Sequence, residues 1–226
     1  MPHHGHPEDE GGGAVNHWAL TALALFAVWA ATAFGVRAAV QRRRTGDAGF
    51  RGISGPPGSA SWWVGILFAL ALLGGAAAPA AALAAMPGLP GPAGAADSTG
   101  LRAAGLAVAL AGMAATLAAQ SAMGASWRFG VDAAERTELV TSGLFAYVRN
   151  PVFTAMTVTA AGLALMVANA LAVIAWLALV LAVELQVRVV EEPYLARVHG
   201  RAYLDYTART GRFVPGIGRR AGGAGA

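Results

Sequence analysis

The sequence predicts an all-α integral membrane protein with five transmembrane helices. Of its 226 residues, 56% are hydrophobic and only 12% are charged, whereas a soluble domain usually carries about 25% charged residues. The apolar residues are also gathered into stretches long enough to cross the roughly 30 Å of hydrocarbon in a bilayer. Composition and spacing therefore point to the same fold class.

Three apolar stretches each predict one span: His17–Val40, Ser61–Met86 and Leu101–Gly124. Trp62 and Trp63 at the start of the second stretch are typical of a membrane interface. The next stretch, Val152–Val187, is too long for one span and just long enough for two. Asn169 near its middle marks the expected turn, so the last two spans are predicted to form a short helical hairpin.

The basic residues predict the orientation. With five spans, every arginine except Arg102 falls on one side, and the chain has no lysine. Basic loops stay in the cytoplasm, so the N-terminus is expected outside and the C-terminus inside the cell (inner or plasma) membrane. Orientation and anionic lipid headgroups account for these arginines, so the pI near 10.3 does not indicate nucleic acid. The absence of cysteine excludes a disulfide framework, a Cys-ligated zinc site and a Cys nucleophile.

Acidic residues gather where the last span ends. Glu184, Arg188, Glu191 and Glu192 have the spacing of one helix face. One interpretation is a structural ion-pair ladder. The other is a polar pocket, because one arginine cannot neutralise three carboxylates and Pro193 predicts a kink toward a cavity. The extra cation could be Arg149 or a ligand.

A second polar segment, Arg149-Asn150-Pro151, precedes the fourth span. Pro151 suits the first turn of a helix, and Asn150 suits its N-cap. The free N–H groups and positive dipole end of that helix, with Arg149 beside them, indicate a site for a carboxylate. Charged residues beside hydrocarbon usually have a function, so the two segments together predict a polar pocket at one membrane face.

These segments resemble two motifs of the isoprenylcysteine carboxyl methyltransferase-like group of integral membrane methyltransferases, which includes phospholipid N-methyltransferases. The first motif runs roughly L-x-T-x-G-P-Y-R-x-x-R-[HN]-P-x-Y, and the chain matches it at Leu139, Thr141, Gly143, Arg149, Asn150 and Pro151. The chain departs from this motif at Leu144, Phe145, Ala146 and Phe153. The second runs roughly E-E-x-x-L-x-x-x-F-G-x-x-Y-x-x-Y…R-[FY]-x-P, and the matches are Glu191, Glu192, Leu195, Gly200, Tyr203, Tyr206, Arg212, Phe213 and Pro215, with His199 in place of Phe.

The resemblance implies a methyltransferase that uses S-adenosylmethionine (SAM) on a lipophilic or membrane-accessible acceptor, with its active site facing the cytoplasm. It implies catalytic roles for Arg149 and Glu192. The cofactor-binding residues that it implies are Tyr147, Arg149, Asn150, Pro151, Glu191, Glu192, His199 and Tyr203. Carboxylates can hold the amino group or ribose hydroxyls of SAM, and an arginine can hold its carboxylate. The acceptor (a carboxylate, thiol or amine) and the oligomeric state stay open.

The chain is thus expected to have four regions. They are a disordered tail at 1–16, a three-helix transmembrane region at 17–124, a C-terminal catalytic region at 125–216 and a disordered tail at 217–226. The catalytic region includes an amphipathic helix after Pro193 that lies in the headgroup layer. No metal site is predicted, although His-rich tracts such as His3-His4-Gly5-His6 can bind metal.

Two other functional classes remain open. An NADPH-dependent membrane reductase would share a similar architecture, but its extended polar motifs are missing from the sequence. A non-enzymatic membrane protein, such as a transporter, is the other possibility, although five spans show no inverted repeat.

Overall fold

The computed structural model describes residues 9–48, 53–84, 98–123 and 139–220, with side chains from residue 17 onward. Within these ranges the chain is helical, with one isolated β-bridge between Val148 and Gly211. The elements are α1 (Asp9–Ala30), a first π-helical segment (Ala31–Val36), α2 (Arg37–Thr45), α3 (Ala60–Leu83), α4 (Thr99–Ala122), a 3-10 turn (Gly143–Ala146), α5 (Pro151–Val167), α6 (Ala170–Leu185), a second π-helical segment (Gln186–Glu191), α7 (Glu192–His199) and α8 (Arg201–Arg209).

Four helical stretches in the described ranges are long and apolar enough to cross a membrane: His17–Thr45, Ala60–Leu83, Thr99–Ala122 and Ala170–His199. Helix α5 is apolar but has only 17 residues. The chain is therefore a multi-pass membrane protein, helical in the ranges that the structure describes. The crossing by α5, and with it the count of five spans, stays a prediction.

The turn between α5 and α6 lies at Asn169, as predicted. Ala168 ends α5 in the left-handed conformation, with φ of 52°. The Asn169 side chain caps α6, because its Oδ1 accepts from the Ala172 N–H at 2.8 Å. Its Nδ2 also donates to the Ala78 carbonyl at 3.0 Å, which ties the hairpin to the end of α3.

Glycines bring α4 and α5 into close contact. A methyl group at Gly105 would lie 2.7 Å from the Gly162 carbonyl oxygen, and one at Gly112 would lie 2.6 Å from the Thr159 backbone nitrogen. Small residues let helix backbones approach in this way. Helix α5 is thus fixed along its length, which also fixes Arg149 at its start.

Several predicted boundaries differ in the structure. Helix α1 begins at Asp9, inside the predicted tail 1–16. Residues 217–220, which were expected to be disordered, fold back onto the site. The single amphipathic helix expected after Pro193 is two short helices that meet at Gly200, where φ is 51°. Residues 1–8, with the His-rich tract, and most of the loop before α4 lie outside the described residues.

Candidate active site

The two motif segments are joined through their backbones. The Arg149 N–H donates to the Gly211 carbonyl at 2.8 Å, and the Asn150 N–H donates to the Arg212 carbonyl at 3.2 Å. The buried Tyr206 hydroxyl donates to the Phe145 carbonyl at 2.6 Å. The loop before α5 and the segment after α8 therefore form one unit.

Three arginines converge on the buried carboxylate of Glu192. Its Oε1 accepts from Arg149 Nη2 at 2.9 Å and from Arg212 Nε at 2.7 Å. Its Oε2 accepts from Arg212 Nη2 at 3.0 Å and from Arg220 Nη2 at 3.3 Å. The Glu192 side chain is 2% exposed. Most of the charged side chains at this site are buried. Burying a charge costs free energy unless the charge is paired and hydrogen-bonded, as Glu192 is here.

Arg149 uses most of its donors on the protein itself. Besides Glu192, its Nη1 donates to the carbonyls of Thr207 and Thr210, and its Nη2 donates to the Gly218 carbonyl at 3.1 Å. The Arg149 Nε is buried and has no hydrogen-bond partner among the described residues. Arg149 therefore holds the end of α8, the segment after it and Glu192 in place, as a positioning residue does.

The second π-helical segment explains why Glu192 is buried. A π turn takes about one residue more than an α turn, so it rotates the residues after it relative to the helix before it. Glu184 and Arg188 pair with each other at the surface, with side chains 35% and 56% exposed, while Glu192 points inward. The shared helix face stays a prediction, and the charge of Glu184 acts on Arg212, which pairs with Glu192. Pro193 lies in the first turn of α7, two residues after the end of the π segment, and it has no N–H to donate to a helical hydrogen bond there.

Glu191 lies beside this cluster but is bonded differently. Its Oε1 accepts from Gln186 Nε2 at 3.1 Å, a bond that spans the π turn. No ion pair of Glu191 occurs among the described residues. Of the paired carboxylates, Glu191 has more free acceptor capacity than Glu192.

Two tyrosines of α8 close the inner side of the site. Tyr203 and Tyr206 are 2% and 5% exposed, and their ring centroids lie 6.3 Å apart. Burial raises the pKa of the Tyr206 phenol to about 12, and burial together with the Glu192 carboxylate raises the pKa of Tyr203 further. Both phenols are therefore neutral at physiological pH, and the O–H of Tyr206 is already engaged with the Phe145 carbonyl.

The remaining predicted residues lie around this centre. Pro151 begins α5 as expected. Asn150 occupies the N-cap position, but its side chain makes no cap and instead donates to the Arg212 carbonyl at 3.1 Å. Tyr147 is 67% exposed, and His199 is the last residue of α7. Neither contacts the Glu192 cluster among the described bonds.

Sequence reasoning did not single out Arg212 and Arg220 as site residues. Arg212 is part of the second motif, and its place in the motif's R-[FY]-x-P element was the available indication. Its pKa is raised by the hydrogen bond to Glu192. Arg220 lies beyond the motif, in the predicted tail, and nothing in its surrounding residues indicates a role.

Comparisons with known proteins agree with this architecture. A family model described as phospholipid methyltransferase matches residues 101–202, a range that includes Arg149 and Glu192. The solved structure of a eukaryotic intramembrane Ras methyltransferase, isoprenylcysteine carboxyl methyltransferase, is similar with a TM-score of 0.58 and 20% identity. The likeness covers 86% of this chain and 64% of that one. No curated protein matches the chain in sequence.

The fold and the site define an integral membrane protein with the helical architecture of that methyltransferase. Residues 101–202 are similar to the phospholipid methyltransferase family, and the chain spans less than two thirds of the length of the solved methyltransferase structure that it resembles.

Proposed function

We propose that the chain is a SAM-dependent membrane methyltransferase that acts on a lipophilic acceptor carrying a carboxylate, a thiol or an amine. One observation carries the proposal: the two motif residues Arg149 and Glu192, both inside the family match, form a buried ion pair at 2.9 Å. This contact brings the two motif segments together at one end of the α5–α6 hairpin.

The residues at this end suit the chemistry of SAM, which supplies an electrophilic methyl group when bound. Its ammonium and ribose hydroxyls are matched by carboxylate acceptors, which Glu191 and Glu192 offer. Its carboxylate is matched by the arginines of the cluster, which outnumber the carboxylate that they surround. The donor set therefore fits the cofactor.

Positioning supplies most of the rate in methyl transfer, because the step is an in-line displacement between two held groups. Arg149 and Glu192 hold the loop before α5 against the segment after α8. A carboxylate or thiolate acceptor needs no general base. An amine acceptor must lose a proton, for which Glu191, Glu192 and His199 are the candidates.

A small apolar cavity of about 30 Å³ lies within the helix bundle. It lies among α1, α3, α5 and α6, lined largely by alanines together with Trp29 and Trp176. Leu179, at its α6 edge, lies roughly 20 Å before Glu192 at 1.5 Å per helical residue. A cavity of this volume does not hold a lipid chain, so the lipophilic acceptor is proposed from the membrane location of the chain.

The arginine distribution supports an orientation with the active site facing the cytoplasm of the cell membrane. The site would then open to the compartment that holds SAM. Helices α7 and α8 would lie at the cytoplasmic headgroup layer.

The test is methyl transfer by purified full-length protein. Incubation with isotope-labelled SAM and a membrane lipid extract should place label in a lipid-soluble product that mass spectrometry identifies. S-adenosylhomocysteine should compete for binding of the labelled cofactor. Protein that is folded but binds neither molecule would contradict the proposal.

A further inference from the structure

We propose that the C-terminal strap, defined as Phe213–Arg220, is a latch over the cofactor site. In the closed state Arg220 occupies the place on Glu192 Oε2 that the ammonium group of SAM takes on binding. The inference rests on the proposed function, and it adds a regulatory element to that site.

The strap is folded against the site at several points. Phe213 packs against the apolar core formed by α1, α3, α5 and α6. The Ile217 carbonyl accepts from the Arg212 N–H at 2.8 Å, and the Gly218 carbonyl accepts from Arg149 at 3.1 Å. The Arg220 N–H donates to the Thr207 carbonyl at 3.1 Å. The strap thus carries the Arg220 guanidinium to Glu192.

The three arginines on Glu192 are not equivalent. The side chains of Arg149 and Arg212 are 2% and 14% exposed, whereas that of Arg220 is 42% exposed. Arg220 also makes the longest of the bonds, a single contact at 3.3 Å, while Arg212 makes two. Exposed ion pairs contribute little to stability. Arg220 is therefore the cation that leaves Glu192 most readily.

Opening the latch exchanges one cation for another. The Arg220 guanidinium moves into solvent, and an ammonium takes its place at Oε2, so Glu192 keeps its full set of donors. Gly216 and Gly218 both have φ near +75°, a conformation that glycine adopts without strain. These glycines let the strap turn back toward Glu192 without backbone strain, and opening requires only the exposed Arg220 side chain to rotate away. The closed latch lowers the apparent affinity for the cofactor by the fraction of molecules that are closed.

The experiment compares two ligands on full-length protein. S-adenosylhomocysteine carries the ammonium group, and 5′-methylthioadenosine carries the nucleoside without it. Arg220→Ala should tighten binding of S-adenosylhomocysteine about two- to fivefold, the range of an exposed ion pair. It should leave the affinity for 5′-methylthioadenosine unchanged. Arg219→Ala removes the same charge one residue away, from a side chain with no ion pair among the described residues, and should change neither affinity.

Three results would overturn the latch. Equal changes for both ligands would mean a general effect on the site, and weaker binding of S-adenosylhomocysteine would mean that Arg220 holds the ligand itself. Unchanged affinities in folded Arg220→Ala protein would mean that the contact has no role. In each of these cases wild-type binding of S-adenosylhomocysteine leaves the proposed function standing. Wild-type protein that binds neither ligand would remove both proposals.

Discussion

At the scale of single residues, Glu192 is the point on which the C-terminal segment converges. Glu192→Gln keeps the size of the side chain but removes the charge that faces Arg149, Arg212 and Arg220. Breaking a buried ion pair typically costs about 3–5 kcal/mol, because the remaining charge stays buried without compensation. We expect a lower free energy of unfolding, seen as a lower midpoint in thermal unfolding of the detergent-solubilised protein. Unchanged stability would show that the cluster is not structural.

Its neighbour Glu191 should behave in the opposite way. The Glu191 carboxylate has one hydrogen bond, to Gln186, so Glu191→Gln should leave the unfolding midpoint near that of the wild type. It should weaken binding of S-adenosylhomocysteine more than tenfold, since a lost charge-assisted hydrogen bond costs about 1.5–3 kcal/mol. Calorimetric titration measures the affinity. Full affinity would remove Glu191 from the site.

Arg149→Lys separates a geometric role from one of charge alone. The guanidinium of Arg149 spans Glu192 and the carbonyls of Thr207, Thr210 and Gly218. A lysine ammonium is a compact point charge and cannot make this set. Methyl transfer should fall sharply, whereas Arg219→Lys, at the exposed strap, should retain it. Full turnover by Arg149→Lys would mean that the arginine serves only to orient the loop.

At the scale of elements, the contact between α4 and α5 sets the position of the site. Gly105→Ala would place a methyl group 2.7 Å from the Gly162 carbonyl oxygen, so α5 must shift. Overpacking of this kind costs about 1–3 kcal/mol, and the unfolding midpoint should fall. Gly100→Ala is the matched control in the same helix, because the added methyl group meets nothing closer than Ser98 Oγ at 4.0 Å. An equal response of both variants would show that α4 and α5 are not in close contact.

The sequence predicted these elements well where hydropathy and turn chemistry decide them. The apolar stretches and the turn at Asn169 are visible because solvent exclusion and capping act locally. The π segment before Pro193 was not predictable, since its one extra residue has no sequence period of its own. Arg220 reaches Glu192 across 28 residues, and only the folded strap brings them together.

At the scale of the whole molecule, the Arg149–Glu192 contact constrains the topology. Arg149 precedes α5 and Glu192 follows α6, so their 2.9 Å contact puts both ends of the hairpin at one membrane face. The two helices therefore cross the membrane together or not at all. Helix α6 is part of a 30-residue helical stretch that is long and apolar enough to cross a membrane. The length of α6 therefore favours a crossing by both helices, although α5 alone is short.

Single cysteines can decide between five spans and three, because the protein has no cysteine of its own. With five spans, Ala170→Cys at the hairpin turn and Ala93→Cys between α3 and α4 should both react with a membrane-impermeant maleimide from outside. The Asn169 contact to Ala78 supports this, since it places the turn level with the outer end of α3. Ser54→Cys should react only after permeabilisation, because it follows the arginines of α2. Labelling of Ala170→Cys only after permeabilisation would reduce the count to three. Labelling of Ser54→Cys from outside would show that the orientation is the reverse of the proposed one. Glu192 would then face the outside of the cell, away from the cytoplasm that holds the proposed methyl donor.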